Sequence, residues 1–151
     1  MKVLNHFTAI LTVFALMSFQ NNSDKKPEPI VVVNVKNVQH HEGNIKAILY
    51  NRDNFLTDKF ISCIEIPMQN TQGTTAQMVF KNLPAGSYAI AIYHDLNSND
   101  NFDRNWFGYP KEPFAISNNL HPFNLLLPSF DKAKFDFNNQ PTSLTIDLMN
   151  N

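Results

Sequence analysis

The feature that most constrains this chain is a period-two alternation of apolar residues, carried in short runs broken by Asn, Pro, Gly and Asp. Val31, Val33 and Val35 alternate with Val32, Asn34 and Lys36; Ile45, Ala47 and Leu49 alternate with Lys46, Ile48 and Tyr50. Successive side chains of an extended strand point to opposite faces, so each run carries one face suited to a core. Phe60 to Ile66, Ala76 to Leu83 and Ser87 to His94 continue the series, followed by Ala133, Phe135, Phe137 and then Leu144, Ile146, Leu148. The runs are rich in β-branched and aromatic residues and lack helical spacing. They predict an all-β chain of seven or eight strands, closed into an antiparallel Greek-key β-sandwich of transthyretin-like or Ig-like type.

Turn chemistry supports that reading. Asparagine occurs 21 times against four glycines, and Asn tolerates left-handed backbone, so it is expected at turn positions that Gly usually fills. In KNLPAGSYAIAI, Pro84 and Gly86 predict a hairpin turn into a strand at Ser87. That strand is apolar on both sides, with Tyr88, Ile90 and Ile92 on one and Ala89, Ala91 and Tyr93 on the other, as expected for a central strand. The small alanines would let another element approach, with the aromatic segment after Asp103 as the candidate.

Lys2 precedes a 13-residue apolar run from Phe7 to Phe19, which gives way abruptly to NNSDKKPEP. A membrane-spanning helix needs about 20 apolar residues, so the run reads as a secretory signal peptide, residues 1–20, followed by a short linker, 21–28, and one sandwich domain, 29–151. The expected product is secreted or periplasmic, with no transmembrane anchor after processing. A net charge of −1 leaves no basic footprint for nucleic acid. The single thiol, Cys63, can form neither an internal disulfide nor a cysteine-rich zinc site, and its place in a strand reads as packing.

The blocks LPAGSYAIAIYHD, DLNSNDNFD, NWFGYPKEPFAISNN and PSFDKAKF, in that order, resemble the exported bacterial family called domain of unknown function 2141. The resemblance runs from the first strand to Leu148 and implies a secreted or periplasmic β-sandwich with no assigned activity. Members of that family often carry Gly where Asp100 stands here, and the SNN block is followed by LHPFNLLLP in place of a loop containing more glycine.

DLNSNDNFD is the stretch that can carry chemistry. Asp95, Asn97, Asn99, Asn101 and Asp103 alternate like the first nine positions of an oxygen-ligand calcium loop. The sixth position is Asp100 instead of Gly, and the twelfth is Trp106, which binds no metal. Calcium would therefore need a closing carboxylate from elsewhere, with Glu112 and Asp131 nearest in sequence. The other reading is an Asx-rich turn whose side chains cap their own backbone.

Phe102 to Phe114 carries Trp106, Phe107, Tyr109 and Phe114 between Pro110 and Pro113. So many rings predict a loop folded back as a plug over the sandwich, because exposing them invites aggregation; a stacking platform is the alternative. His94 stands at a strand end beside Asp95, but adjacent strand residues face opposite ways. His40 and His41 sit in a turn where solvent exposure is expected, casual transition-metal binding being the alternative, and His121 precedes Pro122. No nucleophile elbow, zincin helix, phosphate loop or dinucleotide fingerprint is present. The functional expectation is a non-catalytic exported module, with calcium as the one candidate cofactor, that meets a cell-envelope or extracellular partner. Its candidate ligand-binding residues are Trp106, Tyr109 and His94. The alternatives are a carbohydrate-binding module using Trp106 and Tyr109, and a small hydrolase using His94 or His121 with Asp95 or Asp103.

Overall fold

The alternating runs become strands, and their apolar faces meet. The computed structural model describes residues 27–69, 71, 73–120 and 126–150; the expected signal peptide, most of the linker and His121 lie outside these. In chain order the strands are β1 Val31–Lys36, β2 Asn44–Tyr50, β3 Ser62–Pro67, β4 Thr75–Phe80, β5 Gly86–Asp95, β6 Phe114–Ile116, β7 Phe135–Phe137 and β8 Thr142–Asp147, with a short helix α1, Phe130–Ala133, before β7. One sheet has the order β4-β1-β8, the other β3-β2-β5-β6, and β7 pairs with the first residues of β5. The result is a β-sandwich of eight strands, as the alternation predicts.

Between the sheets lie Val31, Val33 and Val35 of β1, Ile45, Ala47 and Leu49 of β2, Met78 and Phe80 of β4, Ile90 and Ile92 of β5, Phe137 of β7 and Ile146 of β8. Each large apolar side chain buried this way contributes about 1.5–3 kcal/mol relative to exposure, and this layer holds the fold together. β5 is central, paired on one side with β2 and on the other with β6 and β7. Its second apolar face also finds cover: Ala89 packs with Ile116, Phe130 and Ala133 in a smaller cluster on the outer side of that sheet. The element admitted by the small alanine is thus α1, where the aromatic segment was expected.

Three strand-level expectations are corrected. Lys81 to Gly86 is not a hairpin turn, because β4 pairs with β1 and β5 with β2. The turn carries the chain from one sheet to the other, with Asn82 in left-handed backbone and the Tyr88 hydroxyl donating to the Pro84 carbonyl at 2.9 Å. Turn residues report a reversal; they do not say which strand is met afterwards. β1 and β8 run parallel, Val31 opposite Thr142 through Lys36 opposite Asp147, so the sandwich is not purely antiparallel. The chain enters β8 at the end where β1 begins, as the Thr142 N–H bond to the Ile30 carbonyl shows. Finally, Ala133 belongs to α1, and three-residue β6 hides within the aromatic stretch, too short for alternation to reveal.

Asparagine fills turns as expected: Asn37, Asn82, Asn118, Asn119 and Asn139 all have positive φ. Gly43, before β2, is a different case. A Cβ on it would lie 1.9 Å from the Asp95 carbonyl oxygen, whereas at Gly73, also at positive φ, nothing lies within 4 Å. Gly73→Ala should therefore cost about 1–2 kcal/mol from left-handed backbone alone, and Gly43→Ala distinctly more because β5 must move. Denaturant unfolding of the two variants checks this, and equal losses would contradict the close approach.

Candidate functional site

The acid-and-amide loop begins where β5 ends. Asp95 is fully buried, and its two carboxylate oxygens accept from the backbone amides of Asn99 (3.1 Å) and Asp100 (2.8 Å). The Asn97 side-chain oxygen accepts from the Asn99 amide and that of Asn99 from the Asn101 amide. The side-chain NH2 groups of Asn97 and Asn99 both donate to one oxygen of Asp103, at 2.8 and 3.2 Å. Ser98 and Asp100 have positive φ, so Asp100 adopts the backbone a glycine would take at this place. Glu112, nearly fully buried, reaches in from beyond the loop and accepts from the amides of Leu96 and Asp103, both at 3.1 Å. Burial pushes its carboxyl pKa up, while those two amides pull it back only in part.

The charge at the base of this loop is balanced by a residue that shares the outer face of β2 with Ile48 and Tyr50 and that the sequence does not single out. Lys46 of β2 lies opposite both Glu65 of β3 and Tyr93 of β5. Its ammonium hydrogen-bonds the Asp100 carboxylate and stands 3.4 Å from Asp95 and 3.6 Å from Glu65. Burial works to lower the Lys46 pKa, yet the Asp100 hydrogen bond and the surrounding Tyr93, Glu65 and Asp100 carry it above its ordinary value. Lys46 is 5% exposed and Asp95 is sealed, so each depends on the other's charge. Strand register brings them together, and register is not written in the alternation.

The five residues expected to ligate calcium are brought into one loop, but four of them, Asp95, Asn97, Asn99 and Asp103, use side-chain oxygens for hydrogen bonds inside it. Those of Asp95, Asn97 and Asn99 accept from backbone amides, and Asp103 is met by amide NH2 groups. As arranged, the donor set does not fit calcium. Of the two expected closing carboxylates, Glu112 does reach the loop, as an acceptor for backbone. Asp131 is elsewhere, paired with Arg52. Among the described residues no three His, Cys, Asp or Glu side chains form a metal-holding group.

The aromatic segment divides. Phe102 stacks between Tyr93 and Phe114, with ring centroids 5.5 and 5.7 Å away, and Phe114 is buried in β6. The tip turns outward: Trp106 is 96% exposed, Phe107 77% and Tyr109 50%. The expected plug is therefore limited to Phe102 and Phe114. The tip is braced by Asn105, whose side-chain oxygen accepts from the amides of Phe107 and Tyr109, both at 3.0 Å, and whose backbone bonds Gly108 and Tyr109. Once these polar groups are satisfied at the turn, the rings above it cannot fold back without breaking them.

Between this segment and the turn at Leu56–Asp58 lies an open cavity of about 450 Å³ on the outer face of the larger sheet. Ile48, Ala91 and Ile116, neighbours across β2, β5 and β6, line it, as do Phe102, Arg104 and Tyr109. Cys63, on the same outer side of edge strand β3, is exposed instead of packed.

His94 is corrected as a ligand-binding candidate. It is 0% exposed, on the inner face of β5, with Nε2 2.7 Å from the Glu42 carbonyl oxygen. A carbonyl only accepts, so Nε2 bears the proton and Nδ1, without a partner among the described residues, is a bare lone pair. Burial lowers the His94 pKa, reinforced by the nearby His40 and opposed by the Glu42 contact. His94 and Asp95 point to opposite sides of the sheet, so they form no acid–base pair.

A depressed imidazole pKa means the folded protein binds fewer protons than the unfolded chain. The contribution of His94 is thus full above about pH 6.5 and is lost as pH falls below it. Stability between pH 7 and pH 5 should fall with a slope of up to about 1.4 kcal/mol per pH unit from this group, and His94→Gln should flatten the profile. Urea titrations across that range check it; a slope unchanged in the variant would assign the dependence elsewhere.

Searches of curated proteins and of solved structures return no match. The family model described as "Uncharacterized protein conserved in bacteria (DUF2141)" matches residues 33–145, which takes in most of β1, the buried Lys46, the acid-and-amide loop, the aromatic tip and most of β8. The chain belongs to that family.

Proposed function

We propose that this protein is a non-catalytic binding module, exported to the periplasm or beyond, that meets a cell-envelope or extracellular partner through its aromatic tip. The observation that carries this reading is the exposure of Trp106 and Phe107 on a turn braced by hydrogen bonds. Large rings held in water on an ordered support are what a recognition surface needs, because little ordering entropy remains to be lost on binding. The burial of His94, and the engagement of Asp95 by Lys46 and backbone amides, speak against the hydrolase reading built on them. The exposure of Trp106 and Tyr109 also favours a second reading in which the partner is a carbohydrate.

Trp106 is the only tryptophan, so its emission reports on the tip alone. Wild-type protein should co-sediment with isolated cell-envelope material, and Trp106→Ala combined with Phe107→Ala should bind at least tenfold more weakly at unchanged melting temperature. Equal sedimentation of the two would end the proposal. Saturable change of Trp106 emission by soluble envelope oligosaccharides would make the partner a sugar.

We further propose that the acid-and-amide loop is braced from within by Lys46, in the place where calcium was expected to act. Lys46→Met leaves the sealed Asp95 carboxylate without its counter-ion, a change that costs about 3–5 kcal/mol when a buried pair is broken. Wild-type melting temperature should be the same in millimolar calcium and in chelator. A calcium-dependent rise, abolished by Asp95→Ala plus Asp103→Ala, would restore calcium as the loop's cation.

A further inference from the structure

The cavity beside the aromatic segment carries a charge pattern that the tip does not explain. On one side Arg104 is held ready: its guanidinium lies over the Phe102 ring, 5.0 Å from the centroid, and one of its nitrogens donates to the Gly108 carbonyl at 3.1 Å. Asp58 stands in the lining contributed by the turn after β2. Among the described residues neither side chain has an ion-pair partner, and Asp58 has no side-chain hydrogen bond. Elsewhere in the same sheet Lys46 gathers three carboxylates, whereas Arg104 and Asp58, both exposed, line one cavity without pairing with each other. The lining between them is apolar, with Ile48, Ala91 and Ile116 in one cross-strand row.

We propose that this cavity binds a short apolar peptide with free termini, its carboxylate taken by Arg104, its ammonium by Asp58 and its side chains laid on the Ile48–Ala91–Ile116 row. The volume lies within the range of small-molecule sites, about 300–1,000 Å³. A guanidinium already stacked and hydrogen-bonded keeps its remaining N–H groups oriented for a two-point grip on a carboxylate. A fatty acid would satisfy Arg104 and the apolar lining but would set nothing against Asp58, and a neutral sugar could hydrogen-bond both groups but would bring a counter-charge to neither. Tyr109 is shared by the tip and this cavity, but Trp106 and Phe107 lie outside the lining, so either proposal can fail without the other.

The test uses the dipeptide Leu-Leu, its N-acetyl form and its C-terminal amide, with amide NMR shifts of Ala91 and Ile116 as the readout. Leu-Leu should shift both in a saturable way, and each capped form should bind at least tenfold more weakly. In Arg104→Gln the amide and the free acid should bind alike, and in Asp58→Asn the acetylated and free forms should, with melting temperatures unchanged in both variants. The proposal is overturned if all three compounds bind wild type equally, if the charge variants keep the full preference, or if these amides do not move at millimolar Leu-Leu. It is equally overturned if they shift with protein concentration alone, because a second copy then covers the cavity.

Discussion

The ion pair between Lys46 and Asp95 is the contact on which the upper end of this sandwich depends. Asp95 is the last residue of the central strand and the first of the loop, and sealing its carboxylate is tolerable only with a counter-ion and donors in reach. Lys46 supplies the charge from the neighbouring strand, while the Asn99 and Asp100 amides supply the donors. Because Asp95 holds those two amides, the loop must turn as it does. Because the loop turns so, Asp100 is delivered to the same ammonium. A single charge thus ties strand register to loop shape.

From that anchor the aromatic segment takes its direction. Glu112 joins the start of the loop, at Leu96, to its end, at Asp103, and this short circuit sets the base of the segment between them. Phe102 and Phe114 then find each other and Tyr93, filling the space beside β5, and the residues between have nowhere to go but outward. Exposure of Trp106 follows from what lies beneath it: the polar atoms of the turn are already paired and the ring sites below are already filled. The cavity is the space left over between this segment and the turn after β2, where Ala91 presents too little side chain to fill it.

The inner face of the same strand follows a different rule. His94 ends the apolar row begun by Ile90 and Ile92, and one hydrogen bond to the Glu42 carbonyl suffices to seat it neutral. Neutrality is the condition of its burial, since a second proton would have no partner among the described residues. Two adjacent residues of one strand thus carry opposite obligations, a charge with its partner outside and an uncharged ring within. Strand geometry keeps them apart.

Alternation alone determined the all-β class, the core positions on β1, β2 and β5 and the central place of β5, because the period of a half-buried strand is a local property of the backbone. Asparagine content likewise foretold the left-handed turns, since that preference belongs to the residue itself. The loop was legible as a place, Asp95 to Asp103, and Glu112 as one of two candidate carboxylates to close it, Asp131 being the other. Its chemistry was not, because Lys46 reaches it only through the pairing of β2 with β5, and pairing is decided by which strands meet across the whole chain. The same holds for the parallel β1–β8 pair, for the turn at Pro84 that crosses between sheets, and for the outward aromatic tip. Each depends on what already occupies the neighbouring space, which only the assembled sandwich can decide.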